Sequence, residues 1–81
     1  MDDLTAVARE GFYTVGTTDG TPARCPYLAT SANSYAWLVG RHMGRHGNSE
    51  PARVRMGRGS KVRVASMIFD VADNGIVSRI A

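Results

Sequence analysis

Apolar positions change period near the middle of this 81-residue chain. In the first part, Leu4, Val7, Ala8, Gly11, Phe12 and Val15 recur at the three- and four-residue spacing of one helix face. Asp2 or Asp3 stands where a carboxylate caps a helix and meets the positive end of its dipole. Gly11 and Gly16 each weaken such a helix by ~1 kcal/mol relative to alanine, so close approach of another backbone is expected there. From Thr17 to Pro26, Asp19-Gly20 and two prolines make a connector. Ser31, Asn33 or Ser34 then caps a second helix, which runs to about His46 and ends at Gly47-Asn48. Its inner face carries Trp37, Gly40, Met43 and Gly44, the two glycines at a spacing that lets helices touch closely.

After Pro51 the period falls to two. Arg53-Val54-Arg55-Met56, the turn Gly57-Arg58-Gly59-Ser60 and Lys61-Val62-Arg63-Val64 predict a hairpin with cations on one face. Val54, Met56, Val62 and Val64 point to the core. The apolar phase then shifts to Met67, Phe69 and Val71, which predicts a bulge or bend near Ala65-Ser66 within one continuing strand. Asp73-Asn74-Gly75 signals a turn, and Ile76 to Ile80 the last strand. The prediction is an α+β fold: two N-terminal helices joined by a Cys25-Pro26-Tyr27 linker and packed on a C-terminal three-stranded antiparallel meander. One domain is expected over 1–81, with a helical unit at 1–48 and a basic meander at 52–81.

Composition narrows the class. Hydrophobic residues make up 43% of the chain and charged ones 21%, which is ordinary for a globular protein. A chain this short buries only ~60% of its unfolded surface, so each core residue matters. No apolar run approaches the ~20 residues that cross a bilayer, and the acidic start lacks a signal-peptide core. A single cysteine excludes an internal disulfide framework and points to a reducing compartment. A cytoplasmic protein without membrane contact is expected.

Charge is distributed unevenly. Residues 41–63 hold Arg41, Arg45, Arg53, Arg55, Arg58, Lys61 and Arg63 against Glu50 alone, while the flanking segments are slightly acidic. These seven cations are the candidate binding residues, because concentrated positive charge attracts polyanions. Alternate strand residues share a face at ~7 Å intervals, near phosphate spacing. No Phe, Tyr or Trp lies between Arg41 and Met67, so contact falls on a nucleic-acid backbone or an acidic protein surface and not on stacked bases.

Other motifs carry less. His42 and His46 have a metal-ligating spacing and Cys25 could join them, but a fourth ligand is missing and Arg41 and Arg45 repel a cation, so no metal is expected. Gly57-Arg58-Gly59-Ser60-Lys61 lacks the length and ending of a phosphate loop, and no catalytic grouping emerges. No cofactor is expected, and glycine-rich helices make a homodimer an open possibility.

Between residues 9 and 42 the order Gly11-Phe12-Tyr13, Gly16, Cys25-Pro26-Tyr27, Trp37-Leu38-Val39-Gly40 resembles the ribosome modulation factor family of small bacterial proteins. The resemblance implies two helices joined by a linker at Cys-Pro-Tyr, with Gly11, Tyr13, Gly16, Cys25, Pro26, Tyr27, Trp37 and Gly40 as its structural motif. It also implies a non-enzymatic protein that docks on RNA or a ribonucleoprotein assembly. The basic strands after Pro51 lie outside it, so the expected polyanion contact falls on the appended sheet. Two alternatives stand beside this expectation. Small size and basic character also suit a phage- or plasmid-borne inhibitor of a host defence complex, such as an anti-CRISPR protein. Some relatives in the resembled group are described as ATP-dependent, drug-modifying phosphotransferases.

Overall fold

A computed structural model describes residues 3–14, 27, 31–72 and 75–81. Two helices, α1 (Asp3–Thr14) and α2 (Ala32–Arg45), precede four strands, β1 (Val54–Met56), β2 (Lys61–Val64), β3 (Met67–Val71) and β4 (Val77–Arg79). The strands form one antiparallel sheet in the order β1-β2-β3-β4. The fold is therefore α+β.

Local chemistry sets the bounds of α2. Ser31 is the N-cap, its hydroxyl accepting the Ser34 amide at 3.1 Å and satisfying one orphan donor of the first turn. At the other end the Asn48 amide reaches back to the Met43 carbonyl at 2.9 Å across Gly47, whose φ of +71° favours glycine. Arg45 lies in the last turn, where a cation complements the dipole.

The two helices meet backbone to backbone. A Cβ on Gly11 would collide with the Trp37 carbonyl, and one on Gly40 with the Ala8 carbonyl. Close approach is thus the packing reason for both glycines, and their ~1 kcal/mol propensity cost is offset by contact no larger residue permits. Trp37, only 2% exposed, sits at this joint and reaches into the same buried cluster as Val39, Met43, Val54, Val62 and Phe69. Helices and sheet share that one core.

The strand count differs from the three expected. Ala65 and Ser66 form a two-residue turn, not a bulge, and Val64 pairs with Met67 across it. A two-residue hairpin turn needs positive φ, and Ala65 supplies it at +53° without glycine or asparagine. Because paired residues here sum to an odd number, even positions on β2 and odd positions on β3 share a face. The phase shift in the sequence is that change of parity.

Several side chains tie the layers together. The Thr5 hydroxyl on α1 accepts the outward-facing Val54 amide at 3.0 Å, which covers part of the β1 edge. Arg9 bonds the Pro51 carbonyl at 3.1 Å and the Glu50 carboxylate at 2.8 Å, and the Tyr13 hydroxyl donates to the same carboxylate. No described helix is long and apolar enough to cross a membrane.

Candidate nucleic-acid interface

The strands alternate. On β2 the pattern Lys61 out, Val62 in, Arg63 out, Val64 in places both cations on the face away from the helices. Val54 is buried and Arg55 exposed on β1, and Phe69 and Val71 are buried on β3, leaving Ile68 and Asp70 on the outer face.

Register then decides which outer side chains meet. Arg55 stands directly opposite Arg63, and Arg63 opposite Ile68, so the central row of the face reads Arg55, Arg63, Ile68. Opposed residues have Cβ atoms ~5 Å apart, and like charges in that relation are destabilising. Among the described residues no carboxylate forms an ion pair with Arg53, Arg55, Arg58, Lys61 or Arg63. Asp70, opposite Lys61 in register, instead accepts the Ser60 hydroxyl at 3.0 Å. Arg58 and Lys61 join Arg55 and Arg63 around a shallow depression that Ile68 also lines. Arg53, at φ +52° just before β1, borders a second hollow with Arg55, Arg63 and Ser66. Five of the seven sequence-predicted cations are thus gathered on one open face.

The other two are elsewhere. Arg41 and Arg45 lie on α2, in the layer on the opposite side of the sheet. Arg41 stacks 5.9 Å from the Trp37 ring, and with Arg45, His42 and His46 it lines a groove beside β4. His42 and His46 have ring centroids 4.2 Å apart, and His42 meets Phe69 edge-on at 5.8 Å. Partial burial, then the neighbouring His46 and Arg45, lowers the His42 pKa below 6.5. Among the described residues no three His, Cys, Asp or Glu side chains converge on a metal-sized site.

The residues carrying the family resemblance take structural places where they are described. Gly11, Trp37 and Gly40 make the helix joint. The Tyr27 hydroxyl donates to Glu10 on α1 at 2.9 Å. Tyr13 is largely exposed, and its bond to Glu50 raises the hydroxyl pKa above 10. Gly16, Cys25 and Pro26, and so the Cys-Pro-Tyr linker as a unit, lie outside the described residues.

Ile68 was not among the sequence candidates, though alternation from buried Phe69 would have placed it outward. It gives an otherwise charged face an apolar centre. The chain matches no protein-family model, no curated protein and no solved structure.

Proposed function

We propose that this chain is a non-enzymatic binding protein that docks on an RNA or ribonucleoprotein assembly in the cytoplasm through the outer face of its sheet. The observation that carries the reading is Arg55 set directly across from Arg63, with no described carboxylate bridging either. Such a pair works against folding, and a bound polyanion removes the repulsion. Arg53, Arg58 and Lys61 extend the cationic patch around it. Arginine suits the task because its planar fork meets phosphate oxygens in pairs. Among the described outer-face strand residues none is aromatic, so recognition rests on phosphates and shape. The resemblance between residues 9 and 42 to the ribosome modulation factor family supports the same class of target.

The test is a salt titration of binding to purified bacterial ribosomes and to a fluorescein-labelled ribosomal RNA fragment. Arg55→Glu combined with Arg63→Glu is expected to weaken binding and to reduce the slope of log K against log salt by roughly 1.5 to 2. The circular dichroism spectrum should be unchanged, because both side chains are exposed. Equal affinity in the double variant assigns binding to another face.

A further inference from the structure

The groove beside β4 is separate from the outer face and differs from it in chemistry. Leu38 and Val77, both half-buried, and Ile76, 63% exposed, supply an apolar floor. Arg41 and Arg45, one helical turn apart on α2, supply a cationic wall. Neither arginine forms an ion pair among the described residues.

Beside this floor runs an edge strand. The Ala72 amide donates to Ile76 and the Ile80 amide donates to Ile68, so even-numbered residues of the β4 segment turn their backbone groups toward β3. Alternation directs the amides and carbonyls of Val77 and Arg79 away from the sheet. The opposite edge differs, since Thr5 of α1 accepts the outward amide of Val54. No described strand pairs with the far side of β4.

A fifth strand laid along β4 would meet three things together: a backbone ladder at Val77 and Arg79, the apolar floor, and the guanidinium groups of Arg41 and Arg45. We infer that this edge binds an extended acidic segment of a partner protein, by strand addition, with apolar side chains over Leu38 and Ile76 and carboxylates against Arg41 and Arg45. Two features of the site select that occupant. A second copy of the chain would bring its own Arg79 against Arg41, Arg45 and Arg79, and like charges oppose that pairing. A nucleic acid cannot complete a backbone ladder, whereas an extended peptide gains affinity from it and specificity from alternate side chains.

The probe is an acetylated, fluorescein-labelled peptide of alternating glutamate and valine, with a lysine–valine peptide as control. It is titrated against the full chain by anisotropy and by amide chemical shifts. The acidic peptide should move the amides of Ile76–Arg79 and of the last two turns of α2, and the lysine peptide should not bind. Arg45→Glu, an exposed change, should weaken binding at least tenfold. Val77→Pro removes one outward donor on an edge where proline is tolerated and should do the same. The inference is overturned by no binding at peptide concentrations up to roughly 1 mM. It is equally overturned if binding survives both changes but is lost with Arg55→Glu and Arg63→Glu, which would put the peptide on the outer face. Concentration-dependent shifts of the same amides without peptide would give the edge to a second copy and overturn it too.

Discussion

The two faces of β2 and β3 are built from one alternating stretch, residues 61–71, yet answer to opposite demands. Inward, Val62, Val64, Phe69 and Val71 are at most 2% exposed and close the core against Trp37, Val39 and Met43. Outward, Lys61, Arg63 and Ile68 are open to solvent to varying degrees, and Arg63 faces Arg55 across the ladder. The inner face is arranged for packing. The outer one carries a repulsion that a threonine or valine pair would avoid, so stability does not explain its composition.

The contrast predicts substitution effects of different size and sign. Phe69→Ala removes the largest inward side chain of the sheet and should cost about 3–5 kcal/mol. A core this small rarely supplies more than about 3–5 kcal/mol in total, so the variant should be largely unfolded at 25 °C by circular dichroism. A cooperative urea transition close to wild type would mean that the inner face is not the core. On the outer face, Arg55→Thr should raise the urea midpoint, by an amount equivalent to about 0.2–1 kcal/mol, because it relieves the charge opposition and favours strand. The same change should weaken RNA binding. A lowered midpoint would show that Arg55 stabilises the fold, and the case for a function-driven arrangement would fall.

Much of this contrast is legible in sequence because alternation is a local signal. Val54, Val62 and Val64 against Arg55, Lys61 and Arg63 specify two faces without knowledge of the strand partners. What alternation leaves open is register. The shift from Val64 to Met67 is equally compatible with a bulge and with a two-residue turn, since both invert parity. Glycine or asparagine would have decided it, but the turn is made by Ala65 and Ser66, held at positive φ in the context of a 3.5 Å bond from the Ala65 amide to Arg53. Only the resolved turn reveals β3 as a separate strand and puts Ile68 beside Arg63. The division of the cations has a similar origin. Arg41 and Arg45 are near Arg53 in sequence, but α2 covers the inner face, so chain proximity does not become a shared surface. By contrast, Gly11 and Gly40 announce their role early, because glycine inside a helix requires a reason and close backbone contact is the common one.

His42 lies between the two demands, on the inner layer but at its solvent margin, and there the smallest effect is expected. Its ring packs against Phe69 and against His46, with Arg45 on the same helix turn. Burial, followed by these two neighbours, holds its folded-state pKa below the ordinary 6.5. The unfolded chain therefore takes up the proton more readily than the native one, so stability rises with pH across this interval. Its contribution is intact above about pH 6.5 and is lost as the pH falls through that value toward the lower folded pKa. The melting temperature should accordingly drop by a small amount between pH 7.5 and 5.5, and His42→Gln should flatten that drop. An unaltered pH slope in the variant would place the titration on another group and leave His42 a packing residue alone.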